Sequence, residues 1–120
     1  MTDVFNRVIT CNTCVIKHNL FFFSGVELIP RPNKCSEADV IAYKAHVKGG
    51  SVEIWLGQVR RVDLPNTLKV DWFEKEDDGR TYEMSSNYDN IKMKHVLAKI
   101  KGWKGGEFAP AHMEFLQNIN

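Results

Sequence analysis

At 120 residues and a formal charge of +1, the chain is the size of one domain. It is too nearly neutral to hold nucleic acid by bulk charge, since such affinity comes from many phosphate contacts. A hydrophobic share of 43% beside 26% charged residues is ordinary for a soluble globular protein. The apolar stretch 15–29 is broken by Lys17, His18, Asn19, Ser24 and Glu27 and is too short to span a bilayer, so no membrane partner is expected. Asp3 and Asn6 stand where an export leader would be basic. Three cysteines make no closed disulfide set, which points to a reducing compartment, cytosolic or nuclear.

Residues 4–10, 15–23 and 26–29 read as β structure ahead of Pro30-Arg31-Pro32. Two prolines remove backbone donors and stiffen the chain, so a boundary falls there. In this region Cys11, Cys14 and His18, with Cys35 further on, form the one potential zinc set, in which a C-x-x-C turn presents two thiolates together. The competing reading is that these cysteines are reduced and fill an apolar core. If residues 8–16 form a strand, Cys11 and Cys14 point to opposite faces and no knuckle forms. No other cofactor is expected.

From Asp39 onward the pattern is that of short antiparallel strands. Residues 39–43, 52–62 and 68–74 are rich in Val, Ile, Trp and Phe. Lys48-Gly49-Gly50-Ser51 and Leu64-Pro65-Asn66 separate them. Asp78-Gly79, a pair suited to positive φ, turns the chain into Thr81-Tyr82-Glu83 as a hairpin. A last strand follows over residues 95–101. Five short strands in about 60 residues suit a small barrel that closes its own edges. Gly102-Trp103-Lys104-Gly105-Gly106 is then a loop around one Trp, and residues 109–119 permit a helix with Pro110 in its first turn and Met113, Phe115 and Leu116 as its apolar side. The expected class is mainly β: an SH3-like barrel over residues 38–101, an N-terminal β extension over 1–37 packed on it, and a loop with a short C-terminal helix over 102–120.

Val40-Ile41-Ala42-Tyr43, Trp55-Leu56-Gly57-Gln58-Val59, Leu68-Lys69-Val70-Asp71-Trp72-Phe73, Tyr82-Glu83 and Val96-Leu97 together resemble the Tudor and related SH3-like barrels of chromatin readers. The W-x-G-x-V arrangement also resembles the opening of bromo-adjacent homology (BAH) domains. The resemblance covers about half the chain. It implies a nuclear, non-enzymatic, chromatin-associated module that recognises a histone or other protein tail, with methylated lysine held in an aromatic cage. Carried across, Tyr43, Trp55, Phe73 (or Trp72) and Tyr82 become the walls, with Glu74 or Asp78 at the rim. Gly57 would let a ligand approach the barrel wall closely. Strand alternation puts Leu68, Val70 and Trp72 on one face and Lys69, Asp71 and Phe73 on the other. The first face is the more apolar and becomes the core, which leaves Phe73 near the surface. The longer turn between Phe73 and Tyr82 departs from the compact Tudor pattern.

Two other classes compete. A nucleic-acid-binding barrel resembling the retroviral integrase C-terminal domain would use Arg60, Arg61, Lys92, Lys94, Lys99 and Lys101. A protein–protein docking domain without a cage would use its N-terminal strands or C-terminal helix. No P-loop, H-E-x-x-H, G-x-S-x-G or dinucleotide fingerprint occurs, and His18, His46, His95 and His112 lack motif partners, so no enzyme activity is expected.

Overall fold

The computed structural model describes residues 14–17, 20–63 and 65–119. The expected strand over residues 4–10, and Cys11 and His18 of the zinc set, lie outside the described residues.

Among the described residues nine strands form one antiparallel sheet that curls into a half-barrel, with one short helix. The strands are β1 (Cys14–Lys17), β2 (Leu20–Phe23), β3 (Val26–Pro30), β4 (Val40–His46), β5 (Val52–Asp63), β6 (Thr67–Lys75), β7 (Thr81–Lys92), β8 (Val96–Lys101) and β9 (Gly106–Glu107). Their order is β1-β2-β3-β8-β4-β5-β6-β7-β9. From β4 to β7 the chain runs as consecutive hairpins. A 3₁₀ turn at Met93–His95 then returns β8 to the far side of β4, and β3 adds beyond β8. The strand after Asp78-Gly79, β7, runs to Lys92, well past the Thr81-Tyr82-Glu83 expected of it.

The register shifts between Ala42 and Tyr43, Val59 and Arg61, and Asp71 and Phe73, and the curl is marked in β5 and β7. Strand β5 is shared: residues 52–58 pair with β4, and residues 57–63 with β6. Strand β7 bulges, so that Asp71 faces Tyr88 and Phe73 faces Met84, leaving Ser85, Ser86 and Asn87 opposite Trp72 alone. The Ser85 hydroxyl donates to the Trp72 carbonyl at 2.8 Å, replacing the lost ladder bond, and accepts from Asn87 N at 3.1 Å. Such bulges bend a strand and increase its twist.

The sheet is apolar on both faces. Along β4, Val40 and Ala42 join one core with Leu28, Leu56, Ile100 and Leu116, while Ile41 joins the other with Val59, Leu68, Val70 and Val96. The helix α1 (Pro110–Ile119) covers the first of these faces. Pro110 opens it with φ already set, and Leu116 and His112, one turn apart, are buried. The His112 Nε2–H donates to the Phe23 carbonyl at 3.1 Å, tying α1 to β2.

Candidate functional site

The register of the β4–β5–β6 meander builds an aromatic cluster. Tyr43 lies directly across from Trp55, and Gly57, on the same side of β5 as Trp55, lies across from Trp72. A Cβ at Gly57 would sit 2.4 Å from Val70 Cγ1, 2.8 Å from Trp72 Cε3 and 2.9 Å from the Asp71 carbonyl. The missing side chain therefore admits the sheet's own Trp72, not a ligand, and Trp72 lies against Trp55. Ring centroids are 5.2 Å apart for Trp55–Trp72, 5.4 Å for Tyr43–Trp72 and 6.4 Å for Tyr43–Trp55. His95 packs edge-on against Tyr43 at 6.2 Å, and His46 against His95 at 6.1 Å.

Two carboxylates are pinned to this cluster through the indoles. Trp72 Nε1–H donates to Asp89 at 2.9 Å, and Trp55 Nε1–H donates to Glu53 at 3.0 Å. Burial first, then the Asp89 charge, pushes the Tyr43 phenol above its ordinary pKa, so the ring stays neutral. Trp72 is buried, while Tyr43 and Trp55 are half-buried.

The quartet expected as cage walls is divided between the two faces of the sheet. Tyr43 and Trp55 share the cluster above, and Trp72 takes the place of Phe73. Phe73 and Tyr82 lie in the opposite core, 9% and 6% exposed, around Trp103 and Phe108. There Phe73–Trp103, Trp103–Phe108, Tyr82–Trp103 and Tyr82–Phe108 centroids are 4.9, 5.1, 5.9 and 6.1 Å apart. The expectation that Phe73 lies near the surface fails because Trp103 and Phe108 cover it, while Lys69 and Asp71, assigned to the same face of β6, remain partly exposed.

The two rim acids also separate. Asp78 is committed to its own hairpin turn, where it accepts from Arg80 N and Thr81 N at 2.8 Å and from the Thr81 hydroxyl. These donors hold its carboxyl down at about 2. Glu74 is exposed on β6. The acids found at the aromatic cluster, Asp89 and Glu53, were not legible in the sequence. Asp89 reaches Trp72 only because of the β7 bulge.

The basic set is partly neutralised within the chain. Arg60 is paired with Asp71, Arg61 with Asp63 at 3.0 Å and Lys99 with Asp39 at 3.5 Å, while Lys92, Lys94 and Lys101 are exposed. Of the zinc set, Cys14 lies on β1, and Cys35 is buried among Ile41, Val59 and Val96. Burial, and then Asp39, push the Cys35 thiol up to about 11, against some lowering by Lys99. It behaves as a small apolar side chain at neutral pH. Among the described residues no group of three or more His, Cys, Asp or Glu side chains is placed to hold a metal ion, and no helix is long and apolar enough to cross a membrane.

Beside the aromatic cluster runs an open groove of about 1330 Å³. Trp55, Trp72, Asp89 and Glu53 form one end, and Phe108 and Met113 line it further along. Comparison with protein-family models, curated proteins and solved structures finds no match.

Proposed function

We propose that the chain is a non-enzymatic binding module, an SH3-type barrel of the Tudor or BAH kind, that recognises a methylated lysine on a histone or other protein tail in the nucleus. The observation that supports this is the convergence of Tyr43, Trp55 and Trp72, with centroids 5.2–6.4 Å apart, beside the carboxylates of Asp89 and Glu53. A methylammonium is attracted to the face of an aromatic ring within about 6 Å of its centroid, by roughly 0.5–2 kcal/mol per contact. Its desolvation costs less than that of a primary ammonium, so the site prefers the methylated form. The three rings are close enough to touch one another, so a ligand enters by displacing one of them. Trp55 is the ring to move: it is half-buried and held at its polar end by Glu53. Trp72, buried and anchored by Asp89, is the fixed back wall.

Titrating trimethylated and unmodified histone-tail peptides tests this reading. Binding of the methylated form is expected in the micromolar to millimolar range, about 4–8 kcal/mol. Trp55→Ala should remove at least about 1 kcal/mol of it while the domain stays folded. Equal binding of the two peptides, or no loss in Trp55→Ala, overturns it.

A further inference from the structure

Five consecutive residues of β5, 52–56, and four consecutive residues of β6, 72–75, line the groove. Successive side chains of a strand point to opposite faces. A wall made of consecutive residues is therefore the edge of a strand, with its peptide groups, and not a face.

The pairing accounts for both edges. Beyond Gly57↔Trp72 the two strands part: residues 52–56 keep only β4 beside them, and residues 73–75 keep only β7. The separation begins where Trp72 crosses over Gly57. No backbone partner faces these stretches across the groove among the described residues. Folded proteins blunt open edges with proline, bulges or inward charges. Residues 52–56 carry neither proline nor bulge, their one charge is Glu53, and Val52 is 37% exposed.

The side chains around the groove select a sign. Glu53, Glu74, Asp89 and Glu114 supply four carboxylates against Lys75 and Arg80. Arg80 is already paired with Glu107 at 3.0 Å. The apolar floor, with Phe108, Leu56 and Met113, suits aliphatic stems.

We propose that residues 52–56 of β5 are a strand-addition site, at which an extended, lysine- or arginine-rich protein segment completes the sheet. Its main chain bonds to the β5 edge, its basic side chains lie against Glu53, Glu74 and Glu114, and one of them reaches the aromatic end. This rests on the reading that a protein tail is the ligand, but not on its methylation. The partner's backbone supplies affinity, and the aromatic end reads one side chain.

The test uses the full chain and a short, unmodified peptide of alternating lysine and threonine, chosen for charge and strand propensity. Two further peptides carry backbone N-methyl groups on every second amide, one in each register. The expected result is binding that weakens with salt, tenfold or greater loss in one N-methyl register and retention in the other. Amide exchange should slow at alternate positions of residues 52–56. Glu74→Gln with Glu114→Gln should weaken binding severalfold. Equal tolerance of both registers, slowed exchange confined to Trp55 and Trp72, or no binding overturns the proposal. Concentration-dependent dimerisation that protects the same amides without peptide also overturns it, since a second copy would then be the occupant. Methyl discrimination can fail in the peptide titration while the register dependence holds, so the two readings fail separately.

Discussion

Trp72 Nε1–H and the Asp89 carboxylate meet at 2.9 Å across the bulge of β7, and this bond fixes the orientation of the buried ring that Tyr43 and Trp55 pack against. Asp89→Ala removes the acceptor of a part-buried indole N–H at an exposed carboxylate, where water replaces some of the bond, at a cost of about 1 kcal/mol. Asp89→Asn keeps an acceptor oxygen and should cost less, about 0.5 kcal/mol, while removing the charge that helps hold up the Tyr43 phenol. Denaturant unfolding of both variants, with the tyrosine absorbance titrated between neutral and alkaline pH, measures the difference. Equal loss in the two would mean that the hydrogen bond is not what matters.

Gly57→Ala should be among the more damaging small substitutions in the chain. The new Cβ falls 2.9 Å from the Asp71 carbonyl and 2.8 Å from Trp72 Cε3. A backbone carbonyl in a paired strand cannot retreat as a flexible side chain can, so the cost is about 2–3 kcal/mol, in the range of core overpacking. The near-ultraviolet dichroism of the tryptophans should change along with the denaturation midpoint. An unchanged midpoint would show that the β5–β6 crossing is loose.

Trp103 and Trp55 should respond oppositely to truncation. Trp103 is 6% exposed, donates its N–H to the Glu107 carbonyl at 3.0 Å and packs among Phe73, Tyr82 and Phe108. Trp103→Ala should cost about 3–5 kcal/mol and leave the chain largely unfolded. Trp55→Ala, at a half-buried position, should cost about 1–2 kcal/mol and leave a folded domain. Parallel melts of the two variants read this directly.

His112 should make the docking of α1 sensitive to acid. Burial against Phe23 and Phe108 lowers its pKa below 6.5, in spite of raising contributions from the Phe23 and Val26 backbones. The folded state then binds fewer protons than the unfolded state just below 6.5, so stability is full above that value and declines as the pH falls through it. A neutral His112→Gln variant should be less stable at pH 8 and should lose that slope. Melting temperatures from pH 8 to pH 5 provide the comparison.

Asp78 acts lower on the pH scale. With its carboxyl held at about 2 against an ordinary 3.8, the stabilisation it lends the hairpin is complete above 3.8 and is lost as the pH falls towards 2. Asp78→Ala should lower the melting temperature at neutral pH and lessen the further drop below pH 4. A variant that melts like the parent at both pH values would show that the turn does not depend on its carboxylate.

The strands were legible where local chemistry specifies them. Val, Ile, Trp and Phe runs bounded by Gly-Gly, Pro-Asn and Asp-Gly place β4, β5, β6 and the start of β7 within a few residues, and Pro110 marks the start of α1. The bulge in β7 left less trace: Ser85-Ser86-Asn87 is an ordinary polar stretch until the Trp72 carbonyl takes the Ser85 hydroxyl. Without that bulge, nothing in the order of residues matches Asp89 to Trp72.

Alternation alone determined that Trp72 and Phe73 face opposite ways, because successive side chains of a strand must. It could not say which face is covered, since covering comes from segments distant in the chain. Leu116, Trp103 and Phe108 reach the Phe73 side only when β8 pairs with β4 and α1 folds back over β2. Local sequence thus settled where β4, β5, β6 and the start of β7 lie and how their residues alternate, but not that residues 15–23 divide into the paired β1 and β2 or that β7 runs on to Lys92. The tertiary pairing decided that both faces are core, that the aromatic quartet splits between them, and that β5 is left with an open edge. These outcomes depend on contacts between residues far apart in the chain, which local propensity does not encode.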